Sequence, residues 1–101
     1  MPHFISLMKP GKPGLPDSMT EDDKRQFGQH VAYLKSTFAE GKIVFAGPST
    51  EVGEEHFAIV VLDTSDKSQA VAIVNADPAV ASGLLLSHVT EFSIFLERGS
   101  S

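Results

Sequence analysis

The 101-residue chain contains no cysteine. That absence removes a disulfide framework, a thiolate nucleophile and any cysteine-ligated zinc or iron–sulfur centre. Basic residues are few: eight Lys and Arg stand against thirteen Asp and Glu, for a formal net charge of −5, and they are scattered from Lys9 to Arg98 without a cluster. Nucleic acid and anionic membrane surfaces are therefore poor partners. The longest apolar run, Phe57 to Leu62, is far below the roughly 20 residues of a membrane span. No basic stretch leads an apolar one at the N-terminus, so the expectation is a soluble, cytoplasmic protein. Several catalytic signatures are missing as well. There is no His-x-x-x-His or His-x-His metal spacing, no Gly-x-Ser-x-Gly elbow, and the prolines of Lys9-Pro10-Gly11-Lys12-Pro13-Gly14 remove backbone donors that a phosphate cradle needs. Neither a metal nor a cofactor is expected.

What remains is a foldable composition. Hydrophobic residues make up 42% and charged residues 21%, which fits a packed core rather than a disordered chain, and the length fits a single domain over residues 1–101. Residues 3–8 predict a strand, followed by a stiff Pro/Gly loop over 9–17. Ser18-x-x-Glu21 and Thr20-x-x-Asp23 both offer capping-box starts, and Gly41 stands where a C-terminal cap belongs, so the first helix is expected over about residues 20–40. Its apolar residues Phe27, Val31, Leu34 and Phe38 are spaced 4, 3 and 4, which predicts one stripe facing a core. Strands are expected over Lys42–Ala46 and His56–Asp63, joined through a polar loop reaching Gly53 and pairing as a hairpin. A second helix starts at a cap on Ser65 or Asp66 and ends at Asp77-Pro78, because a residue before proline avoids helical angles. Val89–Leu96 alternates as a last strand, with Phe92, Ile94 and Leu96 on one parity and Glu91 and Ser93 on the other. Ser100 and Ser101 make an uninformative tail.

The resulting order, β-α-β-β-α-β, predicts an α+β, ferredoxin-like fold: a four-stranded antiparallel sheet with two helices on one face. Yet the strands are apolar on both parities, for example Ile5 and Leu7 against Phe4 and Met8. A single copy would leave a large apolar patch in water, so a homodimer packed through the open sheet face is expected. Glu91 and Ser93 fall on that face, which implies a wet contact or an enclosed polar cavity.

Of four histidines, His3, His56 and His88 stand at predicted strand starts, where a half-exposed imidazole needs no function. His30 lies about 60° from the centre of the apolar stripe, on the flank between helix and sheet, where packing can hold one nitrogen while the other reaches a cavity. A boundary histidine bonded to a backbone carbonyl fits the same position, and Asp77 could serve only to end a helix.

Three segments in register then matter together: His30-Val31-Ala32-Tyr33-Leu34; Glu40-Gly41-Lys42 leading to Ala46-Gly47-Pro48; and Ala76-Asp77-Pro78-Ala79-Val80-Ala81-Ser82-Gly83. In order and spacing the chain resembles the YCII-related family across nearly its whole length. The resemblance implies a ferredoxin-like dimeric α/β barrel with a cleft near the dimer interface. It also implies that His30 and Asp77 are the active-site pair. Characterised relatives in the family include cofactor-independent dehydrochlorinases and chloromuconolactone dehalogenases. Many members carry an arginine three residues before the histidine; here that residue is Phe27, so no anion-binding arginine carries over.

The function expected is thus a cofactor-independent enzyme of lyase, dehydrochlorinase or isomerase type, acting on a small cyclic or enolisable molecule. His30 would be the general acid/base and Asp77 its orienting partner. Tyr33, about 60° beyond His30 on the helical wheel, Ser49 after the Gly47-Pro48 strand end, Glu91 and Ser93 are the expected pocket-lining residues. A non-catalytic small-ligand-binding or accessory dimer, with His30–Asp77 as a buried structural hydrogen bond, fits the same residues.

Overall fold

A computed structural model describes residues 2–15, 18–51 and 55–99. Parts of two predicted loops, around Pro16-Asp17 and Val52–Glu54, and the tail at Ser100-Ser101 lie outside the described residues. Among the described residues the elements are β1 (His3–Pro10), α1 (Glu21–Ala39), β2 (Ile43–Pro48), β3 (Ala58–Asp63), α2 (Lys67–Asn75), the one-turn α3 (Pro78–Ala81) and β4 (Leu85–Phe92). The sheet order is β2-β3-β1-β4 with every pairing antiparallel, which is the ferredoxin-like arrangement expected, and β2 and β3 pair as the predicted hairpin.

Local chemistry explains the boundaries. Of the two candidate capping boxes the chain uses Thr20/Asp23: the Asp23 N–H donates to Thr20 Oγ1 and the Thr20 N–H to Asp23 Oδ2, each at 3.0 Å. At the other end of α1, Gly41 N–H donates to the Phe38 carbonyl and Lys42 N–H to that of Thr37, with Gly41 at φ 82°. That is a Schellman ending, which needs a left-handed residue where glycine stands. Asp66 rather than Ser65 caps α2, accepting from Gln69 N–H at 2.9 Å. Gly11 serves a different need. Its N–H donates to the Leu84 carbonyl, and a Cβ there would lie 2.0 Å from the Gly83 carbonyl oxygen, so only glycine lets the end of β1 pass the start of β4.

One face of the sheet is covered by the helices. Phe4 and Met8 of β1, Ile43 of β2, Val60 and Leu62 of β3, and Leu85 of β4 meet Ala70, Val74 and Ala79 there, and Leu15 from the proline-rich loop closes the core. The opposite face is apolar along β1 and β3, where Ile5 and Leu7 pair with Val61 and Ile59, and Leu7, Phe45 and Leu86 on it are exposed.

Two expectations need correction. The last strand lies four residues earlier than the sequence pattern indicates, at Leu85–Phe92 instead of Val89–Leu96. β1 starts at His3, which is already opposite Phe92, so residues beyond Phe92 have no strand to pair with, and Phe95 and Leu96 stand exposed. The register also reverses the faces: Glu91 lies opposite Phe4 on the helix-covered side, at its exposed rim, while Phe92 shares the open side with His3. The second correction concerns α1. Its buried positions are Asp23, His30 and Thr37, with Phe27 and Leu34 half-buried between them, while Val31 and Phe38 are exposed. Polar residues occupy the buried face because each has a partner there, and an apolar-only count rotates the helix towards the wrong side.

Lys12 illustrates such a partner. Its ammonium lies 2.7 Å from the Asp23 carboxylate and ties the proline-rich loop to the start of α1. Lys12, with the Thr20 backbone N–H, holds the Asp23 carboxyl below the usual carboxylate range. Because the folded carboxyl titrates lower than the unfolded one, near 3.9, its stabilisation is complete above the unfolded value. That contribution is lost as the pH falls through the folded value. Urea unfolding at pH 7 and pH 3 should therefore show a steeper acid loss for the native sequence than for Lys12→Gln; equal losses would remove the Lys12–Asp23 contribution.

Candidate functional site

The site is built where α1 meets the link between α2 and α3. Ala76-Asp77-Pro78 makes that link: proline at the first helical position of α3 is pre-set for helix, and Asp77 before it is extended, at φ −63° and ψ 126°. In that conformation Asp77 Oδ1 accepts the Ala79 N–H at 3.0 Å, capping α3, and Oδ2 is directed at α1. There it lies 2.5 Å from His30 Nδ1. Asp77 is completely buried and His30 is 8% exposed. One turn earlier on the same helix face, Gln26 accepts a hydrogen bond from Ser82 Oγ at 2.6 Å. Thus α1 is joined to both ends of α3 by residues spaced four apart.

Asp77 Oδ2 accepts from the ring, so the imidazole carries its proton on Nδ1 and leaves Nε2 free. The ring stands on the wall of a cleft of about 290 Å³ between α1 and the β2–β3 hairpin. Phe27, His30, Val31 and Leu34 form the helix wall. Ala46, Gly47, Pro48, His56, Ala58 and Ile59 form the strand wall, with Met8, Val60 and Leu85 as the floor. Asp77 lies behind His30 and does not line the cleft, so the order from solvent inward is cleft, imidazole, carboxylate. Phe27 meets the imidazole edge to face, with centroids 6.0 Å apart and planes at 85°. This contact supports the ring from the side.

The sequence therefore names the central pair correctly as neighbours, but not the cleft walls. None of Tyr33, Ser49, Glu91 and Ser93 lines this cleft. Tyr33 turns to the other side of α1 and donates its hydroxyl to the Ile73 carbonyl of α2 at 2.6 Å. Burial pushes its phenol above the usual range, with the charges of Asp77 and Glu40 adding to the effect. Ser49 extends the β2–β3 ladder: its N–H donates to the Phe57 carbonyl and its Oγ accepts the Phe57 N–H. Glu91 lies towards the far end of β4, opposite Phe4 rather than near Met8, and Ser93 follows the strand end. His56, which as a strand-start histidine needs no function, is on the cleft wall. The available signal was the hairpin itself, which returns the start of β3 to the Gly47-Pro48 end of β2. Among the described residues no group of three or more His, Asp and Glu side chains is placed to hold a metal ion.

The family model of the YCII-related domain matches residues 5–93. The chain belongs to the YCII-related family. Among solved structures, this YCII-related chain is similar to 5-chloro-2-hydroxyhydroquinone dehydrochlorinase (TftG) from Burkholderia phenoliruptrix AC1100, in complex with 2,5-dihydroxybenzoquinone. The TM-score is 0.66 at 19% identity, over 90% of this chain and 93% of that one, a likeness of fold. No curated protein sequence matches the chain.

The two roles of Asp77 can be separated. In Asp77→Asn, the carbonyl oxygen is still required by the Ala79 N–H, so the amide nitrogen must face His30 and donate to Nδ1. Side-chain ¹⁵N NMR should then show neutral His30 changing from the Nδ1–H to the Nε2–H tautomer; an unchanged tautomer would place the Asp77–His30 bond elsewhere.

Proposed function

We propose that the protein is a cofactor-independent acid/base enzyme, of lyase, dehydrochlorinase or isomerase type, acting on a small cyclic or enolisable molecule in the cleft. The observation that carries this reading is the His30 Nδ1–Asp77 Oδ2 contact of 2.5 Å directly behind a largely apolar cleft. A buried carboxylate that holds one imidazole nitrogen fixes the tautomer and stabilises the cation that forms when the other nitrogen takes a proton. His30 Nε2 removes a proton from a carbon beside a carbonyl. The C–H electron pair becomes a double bond, and either a leaving group departs with its own bonding pair or the proton returns at another carbon. Neither course transfers electrons to a redox partner. Apolar walls suit a flat ring and strengthen the His30–Asp77 interaction by excluding water.

The same reading includes a second copy. Leu7, Phe45 and Leu86 leave the open sheet face apolar, and a twofold sheet-to-sheet dimer would cover it. Light scattering at micromolar concentration should give about twice 10.8 kDa; a monomer mass would overturn this part alone.

Chemistry is tested by substitution. Chloride release from 5-chloro-2-hydroxyhydroquinone, the compound that names the similar dehydrochlorinase, should fall about 100-fold or more in His30→Ala and strongly in Asp77→Asn. Turnover that survives both substitutions would overturn the mechanism.

A further inference from the structure

Among the described residues that line the cleft, two carry ionisable side chains, His30 on the helix wall and His56 on the strand wall. Their arrangements are parallel. His56 Nδ1–H donates to the Glu51 carbonyl oxygen at 2.9 Å, since a carbonyl can only accept. His30 Nδ1–H is likewise committed, to Asp77. Each ring is thus tethered through Nδ1, by partners from different parts of the chain. Among the described residues neither Nε2 has a protein partner. His56 is half-buried on an otherwise apolar wall of Ala46, Gly47, Pro48, Ala58 and Ile59, so its imidazole is the polar group that this wall offers to a molecule in the cleft.

The reaction assigned to His30 has a matching need. Taking a proton from a carbon beside a carbonyl moves negative charge onto the carbonyl oxygen, and an uncompensated oxyanion among apolar walls is costly. Among the described residues no lysine, arginine or hydroxyl side chain lines the cleft.

We propose that His56 is the second proton-transfer residue of the cleft, the acid that serves the carbonyl oxygen of an enolisable substrate while His30 acts at the adjacent carbon. The assignment rests on the acid/base reading of His30. The step balances. The α-carbon proton goes to His30 Nε2 and the C–H pair becomes the C=C bond of the enol. The carbonyl π pair moves to oxygen, and that oxygen takes the Nε2 proton of the His56 imidazolium. His30 ends as an imidazolium against Asp77, and His56 ends neutral with Nδ1–H still on Glu51. The reverse step resets both rings, and an imidazole can hold either state near neutrality. The substrate class narrows accordingly to a small ring compound whose carbonyl oxygen and adjacent C–H reach opposite walls at once.

The test follows exchange of the α-protons of cyclohexanone in D₂O by ¹H NMR, using the full chain, His30→Gln and His56→Asn. Asparagine keeps an amide N–H where Nδ1 donates to Glu51 but has no counterpart of Nε2, so it preserves a tethering role and removes proton transfer. The native protein should accelerate exchange, His30→Gln should abolish the acceleration, and His56→Asn should lower it about 100-fold or more, with partial recovery on adding free imidazole. Near-native exchange by His56→Asn alongside an inactive His30→Gln would overturn the role of His56 and leave that of His30 standing. Slowing that imidazole does not relieve would assign to His56 a role in the shape of the cleft wall rather than in proton transfer and overturn the proposal. Absence of exchange by the native protein would overturn both readings.

Discussion

The hydrogen bond between His30 and Asp77 is the constraint on which the arrangement of this molecule turns. It places two polar residues, 47 positions apart, in the interior, where either alone would carry an unmet desolvation cost. Satisfying both requires the buried face of α1 to be centred on residues 23, 30 and 37 rather than on its most apolar stripe. It also requires the chain to break between α2 and α3, so that Asp77 can cap a turn with one oxygen and face the imidazole with the other. The cleft in front of His30 is a consequence: Phe27, Val31 and Leu34 follow the rotation of the helix and form the wall opposite the β2–β3 hairpin.

A second constraint acts at the other end of the sheet. The length of β1, beginning at His3, limits how far β4 can pair, and the close passage of Gly11 beside Gly83 and Leu84 sets where that pairing starts. Together they fix the β4 register and so the face on which each of its residues lies. The open face that results carries Phe45, Ile59, Ile5, Leu7 and Leu86, with His88 and Thr90 beside them on β4, in keeping with a second copy as its proposed cover. The helix-covered face and the His30 cleft depend on contacts within one chain.

Much of the fold was readable from sequence because its signals are local. A capping box, a glycine at a helix end, a Pro/Gly loop and β-branched runs act over a few residues, and they place β1, α1, β2, β3, α2 and β4 in their observed order but not the one-turn α3. The polar members of the buried face of α1 were not readable in the same way. Asp23, His30 and Thr37 are buried by virtue of Lys12, Asp77 and the Tyr33 carbonyl, and of these partners only the carbonyl lies within the helix. Tyr33 and Ser49 were selected by proximity in sequence to the right features, yet their hydroxyls face Ile73 and the β2–β3 ladder. A strand start is an ordinary place for histidine, so position in the sequence does not single out His56; the fold does, by setting it across the cleft from His30.

By itself, then, the sequence determined the β-α-β-β-α-β order, the covering of one sheet face by helices and the pairing of His30 with Asp77, the last through motif resemblance rather than periodicity. The tertiary structure decided which side of α1 is buried, which residues of β4 face the helices, and which side chains meet in the cleft. The physical reason is the range of the forces involved. Backbone conformation and amphipathic patterning are set by neighbours along the chain, whereas burial of a polar group depends on a partner that only folding brings within hydrogen-bond reach.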